Sequence, residues 1–512
     1  MRANLDRQQS RWSLTTVGDG LDRLPAAAVV AAILFYVGLV MAVRLSLSPF
    51  LEIDEAQFMG AVDLRLVYGN SHPPLYNWLV RGALELTGWN WPLSVALVKG
   101  SLLAATHLLT FDAARRVAGV AGGVVALAAA ALMPQVSWMS AHTLAHSVLV
   151  MAAAAGVVHA TVLIAARPSP AAFAWLGLAA GVGALGKYNI AFLIVPLAVA
   201  VAATPAIRRS FATPAAWLAP VVFVLLAGPA LVAAALHLGA STERLEKLYV
   251  ESGLTGALDV PFVGFDGFLS LLLAILASAG LVLAALIVGG RRPAGEAAAV
   301  ERVLTLTLFI GLALAAVGVL AADVHLVRER YLTPLLVTVP LIAALELGRW
   351  RWRGLFVAAG VAAFLAVPIG IVAMTMLDKH RFARPYQAVG DAIAAAAPAG
   401  RITVASPLPD LAVNTALALR YAGRDAVAEG DRVHPPGTVL VRLWPGHREL
   451  PEGVWDEPAG LCEAARLAPD PALRNWTRRT MPVTVRIYTA EACAPISESR
   501  ARIDARVAVS PL

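Results

Sequence analysis

The chain has 512 residues, 59% of them apolar and only 15% charged, with a formal net charge of +7 and a mean hydropathy of +0.70. A soluble globular protein would hardly tolerate that balance, so the bilayer must be the solvent for most of the chain. The positive charge does not mark a nucleic-acid-binding protein, because the basic residues recur in short clusters between apolar runs and not on one surface.

Residues 1–24, with Arg2, Arg7 and Arg11, read as a cytoplasmic N-terminal segment. Pro25 to Val43 contains no charged side chain and is long enough to cross about 30 Å of hydrocarbon. A cleavable signal peptide fits less well, because the run exceeds a usual apolar core and the chain returns to the membrane repeatedly. Further apolar segments follow near 94–112, 117–137, 142–165, 171–186, 189–204, 215–238, 266–289, 303–322, 331–347 and 354–377, about eleven crossings in all. The pair flanking Lys187 is short enough to form one broken helix. The loops carrying Arg115-Arg116, Arg167, Arg208-Arg209, Arg291-Arg292 and Arg349/Arg351/Arg353 fall on one side, the cytoplasm by the positive-inside rule. An odd count then puts the tail outside. The expected fold is a polytopic α-helical membrane protein: a transmembrane domain over 25–377 with a first outer loop at 47–93, and a small periplasmic α/β domain over 378–512. Gly119/Gly123 and Gly177/Gly181 read as close-packing spacings.

From Asp378 the long apolar runs stop. Residues 401–407, 438–444 and 482–490 read as strands and 411–421 as an amphipathic helix. The only cysteines, Cys462 and Cys493, both fall in this tail, where a disulfide or two free thiols are open alternatives.

The outer loops hold an unusual set of polar groups. The first carries Asp54 and Glu55 in LEIDEAQF, then His72 and Tyr76 in NSHPPLYNWL; a later turn carries Lys187 and Tyr188 in GKYN; another carries Asp323, His325, Arg328, Arg330 and Tyr331 in DVHLVRERYLTP. The acid pair either caps a short interfacial helix or faces a substrate, and consecutive residues diverge, so one of the two, with Asp54 favoured, would do the latter. Lys187, Arg328 and Arg330 either reach for the interface and lipid headgroups or meet an anion, on the side that the positive-inside rule depletes of cations. His142 and His146, four residues apart at a helix end, have metal-compatible spacing, but no third ligand stands in register, so no metal is assigned. The string HPP is weak by itself, since it recurs at His434-Pro435-Pro436.

Taken in order, IDEAQF, HPPLYNWL, GLAAGVGALGKYNIAF and RERYLTPLL resemble the GT-C superfamily of membrane glycosyltransferases. The similarity is to the bacterial branch related to protein O-mannosyltransferases and lipid A aminoarabinose transferases, and it extends over residues 25–345. The resemblance implies transfer of a sugar from a polyprenyl-phosphate donor to a hydroxyl, outside the bacterial inner membrane and with inversion. The acceptor would be a glycolipid, a polysaccharide or a protein. It implies Asp54 as catalytic base beside Glu55. His72, Tyr76, Lys187, Tyr188, Arg328, Arg330 and Tyr331 would line the donor and its phosphate. Many relatives have an acidic residue where this chain reads HTLAHS, so His142 and His146 would serve an acceptor or second site instead. A carboxylate base is useful for a hydroxyl nucleophile, and fixed cations for the charge developing on the phosphate. The main alternative is a transporter or flippase, which would place its charges near the bilayer midplane and often show two related halves.

Overall fold

Proline and small polar residues start the helices of this chain, and apolar length carries them. The computed structural model describes residues 20–56, 64–68, 72–239, 265–377, 382, 384–406, 408–428, 439–445, 461–467, 483–489 and 492. Residues 1–19, Gln57 and Phe58 of IDEAQF, Ser71, the expected boundary at Asp378, His434 and Cys493 lie outside that set. The chain divides into two compact units, one of Met1–Ala42 with Asp63–Ile369 and one of Val43–Val62 with Gly370–Leu512.

The first unit is helical. In chain order the helices are α1 (Ala26–Leu47), α2 (Ile53–Ala56, in the second unit), α3 (Leu75–Leu86), α4 (Trp91–Ala131), α5 (Ser140–His142), α6 (His146–Ala166), α7 (Pro170–Gly186), α8 (Ala191–Ala203), α9 (Pro205–Phe211), α10 (Leu218–Leu236), α11 (Phe265–Gly289), α12 (Glu296–Ala321), α13 (Glu329–Leu336), α14 (Thr338–Leu347) and α15 (Arg353–Met376). The Asn90 side chain caps α4 by accepting from the Leu93 N–H at 3.1 Å, and Ser169 caps α7 from Ala172 at 3.2 Å with Pro170 behind it.

Among the described residues seven helices are long and apolar enough to cross a membrane, or up to nine if each of two bent pairs is one span. The chain is a multi-pass membrane protein. Phe35, Leu225 and Ile287 are exposed on these helices, as a hydrocarbon solvent allows, whereas nearly every residue of α6 is enclosed. The break expected between 112 and 117 falls at Gly119, whose φ of 71° interrupts α4. Gly119 is therefore a bend and not a packing site, since a side chain there would meet nothing within 4 Å. Gly177 and Gly181 do pack: a Cβ on Gly177 would lie 2.3 Å from the Ala219 carbonyl oxygen of α10.

The helix expected from 142 starts at 146 instead. A π-helical turn over Gln135–Met139 follows Pro134, and the Leu144 N–H closes back onto the Met139 carbonyl at 2.9 Å, so the chain leaves helical geometry before Ala145. His142 and His146 thus do not share one helical face.

The second unit holds α2, α16 (Tyr386–Ala396), α17 (Pro409–Tyr421) and a five-stranded sheet of β1 (Ile402–Ala405), β2 (Ala426–Ala428), β3 (Val439–Pro445), β4 (Cys462–Leu467) and β5 (Val483–Thr489), in the order β2-β1-β3-β5-β4. β1 lies parallel to both β2 and β3, so α17 is the crossover of a βαβ unit. β5 runs antiparallel to β3 and β4. Cys462 is disulfide-bonded.

Candidate active site

The acidic segment belongs to the second unit, and its three carboxylates are treated differently. Glu52 and Glu55 are 2% and 5% exposed, while Asp54 is half-buried. The Glu55 carboxylate accepts from the Glu52 N–H at 3.0 Å and from Arg44 at 3.4 Å. Arg44, in the last turn of α1, also donates to the carbonyls of Ser48 at 3.1 Å and Phe50 at 2.5 Å, and its guanidinium covers the Phe382 ring at 3.9 Å. Removing one partner of such a buried pair typically costs about 3–5 kcal/mol. Glu55 is therefore enclosed by Arg44 and the Glu52 N–H, and Asp54 is the acid that the segment leaves partly exposed.

Behind the segment stands α17. The Asn414 amide accepts from the Leu51 N–H at 2.8 Å and donates to the Leu51 carbonyl at 2.9 Å. Ser48 donates to the Phe382 carbonyl at 2.6 Å. The Tyr386 hydroxyl reaches Asp410 at 3.4 Å. Burial, then the Asp410 charge, push the Tyr386 hydroxyl well above the usual phenol range, so it stays a neutral donor.

The cations belong to the first unit. Lys187 ends α7 in an extended conformation, with φ −166° and ψ 133°, and a 3₁₀ turn over Tyr188–Ile190 follows. Its ammonium donates to Ser147 Oγ at 2.9 Å and lies 5.7 Å from the Tyr331 ring centroid. Asn189 donates to the Tyr331 carbonyl at 3.0 Å, which latches α13 to the Lys187 turn. Arg330 approaches the same ring at 6.0 Å. The loop before α13 is fixed in turn: the Val327 N–H donates to Ser270 Oγ at 2.8 Å, and a Cβ on Gly267 would lie 1.7 Å from the Val324 carbonyl oxygen. Lys187, Arg330 and Tyr331 are thus brought together. Arg328 is exposed at the N-cap of α13, Tyr188 is 36% exposed, and Asp323 and His325 approach to 4.0 Å. A lysine within a membrane segment costs about 2.5–3.5 kcal/mol. One hydrogen bond from a charged donor recovers a comparable amount, about 1.5–3 kcal/mol. An anionic ligand on this ammonium would shift the balance in its favour.

A third group sits at the entry to α3 and the start of α6. His72 and His146 stack at 4.4 Å between centroids, and Tyr76 lies 4.7 Å from His146. His142 packs instead on Trp138 at 5.3 Å. Among the described residues no group of three or more His, Cys, Asp or Glu side chains could hold a metal ion. His146 and Ser147 are neighbours in the chain, so the first turn of α6 touches both the His72 group and Lys187.

Sequence reasoning passed over Lys99, Arg44, Ser147 and Asn414. Lys99 is 1% exposed on α4 and donates to the His142 carbonyl at 3.3 Å. A lone lysine inside an apolar span was its available signal. Asn414 had none.

A family model for dolichyl-phosphate-mannose-protein mannosyltransferases matches residues 71–232. The lipopolysaccharide core galacturonosyltransferase RgtB of Rhizobium johnstonii is 30% identical over 389 residues, covering 70% of this chain and 75% of that protein. RgtA of the same organism is 28% identical over 354 residues, covering 67% and 68%. The crystal structure of ArnT from Cupriavidus metallidurans bound to undecaprenyl phosphate superposes with a TM-score of 0.58 at 13% identity, over 92% of this chain and 100% of that one. Its apo form gives 0.53.

Proposed function

The chain belongs to the GT-C superfamily of membrane glycosyltransferases, and on that premise we propose that it moves a sugar from a polyprenyl-phosphate donor to a hydroxyl of an envelope glycolipid, on the periplasmic face and with inversion. The observation that carries the donor class is the Lys187 ammonium at a helix break, held by Ser147 and beside Tyr331. Lys187 and Arg330 take the lipid phosphate, and Asp54 takes the acceptor's proton as the glycosidic bond forms. The phosphate departs as a stable anion, so the acid partner of a glycosidase is not required. That RgtA and RgtB are lipopolysaccharide core galacturonosyltransferases supports a glycolipid acceptor over a protein. The relatives are sugar transferases, which sets the transporter alternative aside.

The test is transfer by purified protein in nanodiscs from a polyprenyl-phosphate sugar to lipopolysaccharide. Labelled glycolipid is expected. Transfer from a nucleotide sugar alone would sink the donor assignment.

For the topology, we count the 41-residue α4 as two segments at Gly119, the 17-residue α7 as a crossing and each bent pair as one span, so that the proposed number of crossings is eleven. The C-terminal unit, with its mixed sheet, then lies in the periplasm of a bacterial inner membrane. A reporter fused at Ala399 should behave as periplasmic and one at Gly295 as cytoplasmic. An alkaline phosphatase inactive at Ala399 counts against this orientation.

A further inference from the structure

The Leu51–Ala56 stretch has little structure of its own. Its helix α2 is a single turn, and an isolated turn of this length does not hold its shape in water. What holds it is the remainder of the second unit. The Asn414 side chain is fully buried and presents an amide that makes both hydrogen bonds a neighbouring strand would make, to the N–H and the carbonyl of Leu51. Asn414 lies in the middle of α17, which also packs on β1 and β2. The Phe382 N–H meets the Glu52 carboxylate at 3.5 Å, and Tyr421, also on α17, donates to the Pro49 carbonyl at 3.4 Å.

We propose that Asn414 is a positioning residue for Asp54, and that α17 with its sheet serves catalysis as the template that sets the acidic turn. The proposal rests on the reading of Asp54 as the base. Asn414 touches the backbone three residues before Asp54, and its two hydrogen bonds fix both the height and the rotation of the turn that follows. A base acts only from a narrow set of positions, and a displacement of about 1 Å can cost on the order of 10²-fold in rate.

The chemistry of one amide orders the variants. Asn414→Leu removes donor and acceptor, and Asn414→Asp keeps the acceptor but leaves the Leu51 carbonyl without its donor. Turnover per folded enzyme should fall about 10- to 100-fold in the Leu variant and less in the Asp variant, with the KM for a polyprenyl-phosphate sugar unchanged. The deciding measurement is a double-mutant cycle with Asp54→Asn. If Asn414 acts through Asp54, its replacement costs little more once the base is gone. Full multiplicative loss in the Asp54→Asn background overturns the proposal, as does undiminished turnover of Asn414→Leu. If the Leu variant yields no folded protein, Asn414→Asp in the same cycle decides, with full activity counting against positioning. Failure of the underlying reading is distinct, because Asp54→Asn alone would then remain active.

Discussion

Asp54→Asn is expected to lower sugar transfer per folded enzyme by about 10² to 10⁴-fold, the usual cost of losing a general base. The amide keeps the size of the side chain and can still hydrogen-bond an acceptor hydroxyl, but it cannot take the proton. Donor affinity should survive, because no step of donor binding needs that proton transfer. Glu55→Gln is the informative neighbour. Its carboxylate is 5% exposed and engaged by Arg44 and the Glu52 N–H, so its neutralisation leaves the Arg44 charge buried against Phe382. That change should appear first in thermal stability and in the yield of folded protein, with a smaller loss of turnover in what folds. Transfer assays on both variants, run beside donor binding to the same preparations, separate the two outcomes. Undiminished turnover of Asp54→Asn removes the base assignment, and a dead Glu55→Gln of wild-type stability moves the role one residue along.

What was legible in the sequence follows from what the bilayer demands. Uncharged runs such as Pro25 to Val43 had to be helical, because a membrane offers the backbone no other partner, and α1, α10, α11, α12 and α15 lie within a few residues of expectation apart from the earlier start of α12. Alternation in TVLVRLW and PVTVRIYTA corresponds to β3 and β5. CEAARL passed unnoticed as β4, since its alternation is of small and polar residues with a helical look, and tertiary pairing with β5 decides its conformation. Lys187 stood out because it interrupts an apolar run, and its turn meets Arg330 and Tyr331. The support of the acidic turn was not legible. Leu51 and Asn414 are 363 positions apart, and an asparagine within NTALALRY carries no periodic or motif signal. Glu55 and Asp54 look equivalent as letters, and only Arg44 and the folded turn distinguish them.

Lys187→Gln is expected to weaken the binding of a polyprenyl-phosphate donor roughly 10- to 150-fold, since a hydrogen bond from a charged donor is worth about 1.5–3 kcal/mol. Glutamine can still donate to Ser147 Oγ, which the ammonium reaches at 2.9 Å, so the turn after α7 should keep its shape. The lost quantity is the charge. Ser147→Ala is the complementary variant: it keeps the ammonium beside Tyr331 while removing one restraint, and donor affinity should fall less than in Lys187→Gln. Polyprenyl phosphate without a sugar isolates the interaction, because it should compete with the donor on the wild-type protein and lose that competition in Lys187→Gln. Arg330→Gln should act in the same direction through the same phosphate. A lysine that serves only to reach the membrane interface predicts the opposite pattern, in which Lys187→Gln lowers thermal stability while the dissociation constant for polyprenyl phosphate stays at its wild-type value. The two roles differ in which equilibrium the charge stabilises, folding or binding, so measuring both on one preparation decides between them.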